Sequence, residues 1–127
     1  NFIEGTLEEK RGGLYFNEEN FEVRVVEEMR EGLKGYIGQE IIMGIRPEDI
    51  YDKMYAPNAG ADTIVTATVE VIEILGHESL LYLTTGKTPF ISKGEADIEL
   101  EINQEVEMVF DMNKAHFFDP KTEKVIV

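Results

Sequence analysis

The chain has 127 residues with 12 Lys and Arg against 26 Asp and Glu, a formal charge of −14 on a composition that is 43% hydrophobic and 30% charged. That balance describes a folded acidic chain, and it argues against a nucleic-acid backbone or an anionic membrane as partner, because phosphates repel such a surface. No cysteine is present, which removes disulfides, thiolate metal sites and a Cys nucleophile, and no apolar run approaches the ~20 residues of a membrane span.

The excess of acid is even: residues 1–63 carry 7 basic and 14 acidic side chains, and residues 64–127 carry 5 and 12. No basic arm, acidic tail or repeat suggests a second unit, so the length predicts one domain over residues 1–127. Gly12-Gly13 is a turn signal suited to a hairpin. Phe21, Val23 and Val25 alternate with Glu22 and Arg24, the pattern of a half-buried antiparallel strand. Val26, Met29, Leu33 and Ile37 then fall at roughly helical spacing, with Glu27, Glu28, Arg30, Glu31 and Lys34 toward water. Gly35 and Gly38 bracket the end of this one short helix. Ile41-Ile42-Met43-Gly44-Ile45 is apolar on both faces and reads as a central strand.

That strand runs into Arg46-Pro47-Glu48-Asp49-Ile50. Pro47 occupies the place of a first helical residue, Glu48 and Asp49 suit the positive first turn, and Arg46 is expected to neutralise nearby acids. The small-residue stretch from Met54 to Asp62 separates two groups of strands. From Thr63 to Leu75 lies the longest strand candidate, and its phase changes. Val65, Ala67, Val69 and Val71 share one face, then Ile72 and Ile74 take over, which requires a bulge or a bend. Gly76-His77 turns the chain. Asp97 to Ile102 alternates cleanly, with Ile98, Leu100 and Ile102 on one side, and predicts another strand. Val106, Met108 and Phe110 predict the next, and Asp119-Pro120-Lys121-Thr122 has Asp and Pro where a turn wants them. Bent strands at this density indicate a β-barrel or compact β-sandwich with one short helix.

The inventory of chemistry is thin. His77 and His116 have no second His at metal-ligand spacing, and no nucleophile elbow, zinc-protease helix or calcium loop occurs. Carboxylate pairs are too numerous to single one out. Thr85-Gly86-Lys87-Thr88 lacks the upstream glycine of a phosphate-cradling loop, so ATP binding by this chain is not expected. No catalytic or metal residue is assigned.

Four segments in order carry a resemblance: Asn1-Phe2-Ile3-Glu4-Gly5, Gly44-Ile45-Arg46-Pro47-Glu48, Val69 through Glu78, and His116-Phe117-Phe118-Asp119-Pro120-Lys121-Thr122-Glu123-Lys124. Together they resemble the C-terminal regulatory (TOBE) domain of maltose-type ATP-binding-cassette importer subunits. The resemblance implies a mostly β fold, an OB-like or MOP-like antiparallel barrel. It also implies a longer parent chain whose N-terminal ATPase domain, absent here, would bind ATP and Mg. The abrupt start at Asn1 without a Met agrees with a piece of such a chain. Implied partners are a second copy of the subunit, the importer's membrane subunits and a regulatory protein. The implied setting is cytoplasmic, peripheral to the membrane, without insertion into it.

The resemblance places Arg46, Pro47 and Glu48 at the junction of barrel and helix, and His116, Phe117 and Asp119 in the last hairpin, as a structural or interface motif. The alternative reading is a barrel that senses a small ligand, a sugar or an oxyanion. The motif dense in Ser, Ala, Arg and Asn that related molybdate-binding barrels use is not found.

Overall fold

The computed structural model describes residues 1–127. Ten strands form two antiparallel sheets of five. The first sheet contains β1 (Phe2–Lys10), β2 (Gly13–Asn17), β3 (Glu22–Arg24), β4 (Glu40–Gly44) and, from the far end of the chain, a last strand over His116–Phe118. The second contains β5 (Ile50–Asp52), β6 (Ile64–Leu75), β7 (Glu78–Thr84), β8 (Pro89–Glu95) and β9 (Glu105–Phe110), so the last strand is β10. In space the orders are β10-β4-β1-β2-β3 and β5-β9-β6-β7-β8. A seven-residue helix, α1 (Glu27–Leu33), follows β3 and continues as one tighter turn over Lys34–Tyr36.

The predicted period-two segments 21–25 and 106–110 contain β3 and β9, and Phe21, Val23, Val25, Val106, Met108 and Phe110 are buried, although β3 itself spans only Glu22–Arg24. The both-faces-apolar segment at 41–45 is β4, paired on one side with β1 and on the other with β10. The first hairpin turns one residue earlier than its glycines suggest. Arg11 (φ 51°) and Gly12 (φ 74°) form the two-residue loop, and Gly13 opens β2 opposite Lys10. Two successive left-handed residues match the twist of a hairpin. The phase change in β6 is a bulge: its pairing with β7 slips between Val69 and Val71, and the strand stays in its own sheet.

One prediction fails. Asp97–Ile102 is an irregular strap, not a strand. Its alternation has another cause: Ile98 and Leu100 are half-buried against the core, the acids between them face water, and Ile102 is exposed. The strap folds on itself instead of pairing, with the Ile98 N–H donating to the Ala96 carbonyl and the Glu101 N–H to the Gln104 side chain.

The second sheet curls until its two edge strands meet, and the Ser92 hydroxyl on β8 donates to the Ile50 carbonyl at the start of β5. The result is a nearly closed barrel of the OB/MOP type. A single apolar cluster of 24 buried residues runs through both sheets. Its spine is a chain of rings, Phe117 to Phe16 to Phe21 to Phe110 to Phe90, with successive centroids 5.4–6.4 Å apart.

Candidate functional site

Arg46, Pro47 and Glu48 form the corner between β4 and β5. Pro47–Asp49 is one tight helical turn with Pro47 in its first position, as the Pro-Glu-Asp pattern predicts. The cation expected to hold this corner does not do so. Arg46 is exposed and takes part in no ion pair, while the backbone closes the turn: the Asp49 N–H donates to the Arg46 carbonyl at 3.0 Å, and the Asp111 N–H to the Asp49 carbonyl at 2.9 Å. Arg46 is extended (φ −75°, ψ 150°) and exposed, beside a turn whose polar groups the backbone already satisfies.

The β4–β10 register sets Gly44 beside His116, so the Arg46 corner and the exposed His116 lie at the same end of the first sheet. Phe117 is fully buried and belongs to the ring spine. Asp119 lies toward the opposite end, because β10 runs antiparallel to β4. There it accepts a hydrogen bond from the Tyr36 hydroxyl at 2.7 Å and caps its own turn through the Lys121 and Thr122 N–H groups. The Tyr36 hydroxyl first, then the two backbone donors, hold the Asp119 carboxyl below its ordinary range; the same carboxylate raises Tyr36. The six candidate residues are therefore three things: a solvent-facing end with Arg46, Pro47, Glu48 and His116, a core ring, and a turn cap.

Two further contacts tie the two sheets to each other. Glu18, between β2 and β3, is fully buried; its carboxylate accepts from the Asn20 N–H at 2.9 Å and from the Thr85 hydroxyl at 2.5 Å. Lys87 Nζ adds a bond to the Glu18 carbonyl. Thr85-Gly86-Lys87-Thr88 is thus the β7–β8 turn, clasping a carboxylate. Asn1, at the start of the first sheet, both donates to and accepts from the backbone of Ile91 on β8 at 2.9 and 2.8 Å. That occupies polar groups an edge strand would otherwise offer to another chain. Neither contact leaves a local signature: Asn17-Glu18-Glu19-Asn20 reads as a solvated turn until the second sheet covers it.

The most enclosed apolar-walled feature near the barrel mouth lies where β5 and β8 diverge beyond the Ser92 bond. A cavity of about 500 Å³ opens there between the inner face of the β7–β8 pair and the strap. Leu81, Met54, Ile98 and Leu100 supply its apolar wall, and Tyr51 and Tyr55 its aromatic one. Burial, reinforced by the charges of Asp111 and Asp49, raises the Tyr51 phenol, so it stays a neutral hydroxyl. No group of three or more His, Asp or Glu side chains is arranged to hold a metal ion.

With this geometry, comparison with known proteins is decisive on family. The family model for the MalK OB fold domain matches residues 1–50, and that for the TOBE domain matches residues 43–118. The chain belongs to the TOBE domain family. The two matches overlap at residues 43–50, the end of β4 and the Arg46 corner, and β10 of the first sheet falls within the second match.

Curated relatives agree with that assignment. The chain is 37% identical over 129 residues to the trehalose/maltose import ATP-binding protein MalK of Thermococcus litoralis, covering 99% of this chain and 34% of that protein. It is 41% identical over 90 residues to the oligosaccharides import ATP-binding protein MsmX of Bacillus subtilis, covering 71% and 25%. It is 34% identical over 128 residues to the multiple sugar-binding transport ATP-binding protein MsmK of Streptococcus mutans, covering 99% and 33%. This TOBE chain therefore spans about a third of the length of the relatives it matches throughout. Among solved structures it superposes on the molybdate-bound cytoplasmic molybdate-binding protein ModG with a TM-score of 0.65 at 18% identity, over 94% of this chain and 96% of that one. At that identity the likeness is one of fold.

Proposed function

We propose that this TOBE chain is the non-catalytic regulatory and pairing module of the ATP-binding subunit of an importer for carbohydrates or related solutes. The observation that carries the reading is the alignment of 99% of the chain with one third of sugar-import ATP-binding proteins. ATP and Mg belong to an ATPase domain outside these 127 residues. The partners are a second copy of the subunit, the membrane subunits reached through the parent chain, and a regulatory protein, all at the cytoplasmic face of the membrane. The mechanism is thermodynamic: the barrels keep two ATPase domains at high effective concentration while these open and close, and a regulator biases that equilibrium.

Pairing is testable on the chain itself. A charge of −14 per copy adds long-range repulsion that salt screens, so the dimer is weak and tightens with ionic strength. Sedimentation at raised protein and salt concentrations should show a growing dimer fraction, and a strict monomer throughout would remove the pairing role. The likeness to ModG favours a second reading, a barrel that binds a small oxyanion or sugar. Calorimetric titration with molybdate, sulfate and maltose separates the two, because the regulatory reading expects no binding of any of them.

A further inference from the structure

We propose that the barrel mouth between β5, β8 and the 96–104 strap is a binding site for an organic cation, a protonated or quaternary amine with an apolar body. The cavity of about 500 Å³ is of small-molecule size, and its wall divides into two kinds of surface. Leu81, Met54, Ile98 and Leu100 form an apolar floor and roof that suit a hydrocarbon body. Tyr51 and Tyr55 add aromatic rings, whose faces attract a cation.

Charge decides among ligand classes. Asp52, Glu95, Asp97 and Glu99 line the cavity against one cation, Lys93. Lys93 is already paired with Glu78 at 3.3 Å, whereas none of the four carboxylates is in an ion pair. An anion entering here would meet three excess negative charges, and a neutral polyol would leave them uncompensated. A cation reduces their mutual repulsion. The polar groups on the floor are unavailable for other work: Ser79 donates to the Glu95 carbonyl and Ser92 to the Ile50 carbonyl. Recognition therefore rests on rings, apolar surface and carboxylates, a combination that selects a positive charge next to hydrocarbon. The site is contained in one copy of the chain, so it stands or falls independently of pairing.

The probe is benzyltrimethylammonium, titrated into the 127-residue chain by calorimetry with maltose and molybdate as neutral and anionic comparisons. Saturable one-to-one binding is expected with a Kd of about 1 mM or tighter. Tyr55→Ala, and separately the pair Asp97→Asn/Glu99→Gln, should each weaken it by about three- to tenfold. All three positions are exposed, so the substitutions leave the core intact. Glu40→Gln/Glu123→Gln removes the same charge at exposed positions outside the cavity lining and should change the affinity by less than about twofold if the cation is held locally. No saturation by about 10 mM would overturn the proposal. So would equal weakening by the pair outside the lining, which means diffuse attraction to an acidic chain, or preferential binding of maltose or molybdate. Sedimentation of the same samples reports pairing separately, so loss of the cation site and loss of the pairing role are distinct results.

Discussion

The Glu18 carboxylate accepts the Thr85 hydroxyl hydrogen at 2.5 Å, across 67 positions of sequence, and so ties the β2–β3 loop of one sheet to the β7–β8 turn of the other. The carboxylate is fully buried, and the Thr85 oxygen also receives the Lys87 and Thr88 N–H groups of its own turn. A hydrogen bond to a charged group contributes about 1.5–3 kcal/mol, and a buried carboxylate robbed of its donor costs more than the bond alone. Glu18→Gln should lower the melting temperature by several degrees, and Thr85→Val by at least as much, since it strands the carboxylate. Because the residues share one bond, the double variant should lose less than the sum of the two, by about 0.5–3 kcal/mol in a double-mutant cycle. Strict additivity would show that the clasp is not an energetic unit.

Asp119 and Tyr36 should impose a pH signature. The folded-state carboxyl of Asp119 is depressed, foremost by the Tyr36 hydroxyl. Its contribution is therefore complete above the ordinary carboxylate range near pH 4 and is lost as the pH falls through the lower folded value. Asp119→Asn should melt below the parent chain at pH 7, with the difference closing as acidification passes below the ordinary carboxylate range. Tyr36 is raised, so its contribution is complete below about pH 10 and is lost as the pH rises beyond its folded value. A gap between Asp119→Asn and the parent that stays constant from pH 7 down through the whole carboxylate range would contradict this linkage.

Arg46→Ala should leave the melt of the chain unchanged within about 0.5 kcal/mol, the usual range for an exposed side chain without partners. The backbone holds the corner, and Arg46 is exposed. If Arg46 serves the importer, its effect appears only as reduced transport by the full-length subunit, at unchanged stability. A clear loss of stability in the isolated chain would mean that Arg46 has a partner after all.

Gly5 is irreplaceable for steric reasons. A Cβ at this position on β1 would come within 2.6 Å of the Asn17 carbonyl oxygen and equally close to the Phe16 ring. Neither can yield, because the oxygen belongs to the neighbouring backbone and the ring is fully buried in the spine. Gly5→Ala should cost about 1–3 kcal/mol, the range for overpacking a filled core. Gly94→Ala meets nothing within 4 Å and should be tolerated. Equal melts for the two variants would contradict the packing at Phe16.

Much of the chain was legible from local rules. Period-two patterns located β3 and β9, and a run apolar on both faces located β4, because each has one or both faces against the core and its neighbours in sequence share that environment. The phase change expected between Val71 and Ile72 announced a bulge, which the structure sets slightly earlier, between Val69 and Val71, and Asp119-Pro120 announced the last turn. The order of four short motifs carried the family, which the two family matches then showed. Period alone misread Asp97–Ile102. Alternation reports which side chains are buried and says nothing of whether a partner strand is within reach; here Ile98 and Leu100 cover a barrel mouth instead of joining a ladder.

Charge content likewise could not place Arg46. Abundant acids suggested a partner, yet hydrogen bonds within the backbone had already satisfied the turn.

What the sequence determined by itself was the class of fold, the positions of β3, β4, β6 and β9 among the ten strands, and the family, all properties of neighbouring residues or of their order. What only the tertiary structure decided was which distant groups meet: Glu18 with Thr85, Asn1 with Ile91, Tyr36 with Asp119, and the rings and carboxylates around the barrel mouth. The three named pairs each join segments more than 65 positions apart, and their worth comes from burial and geometry that exist only once the chain has closed on itself. No residue pattern within either segment encodes that proximity.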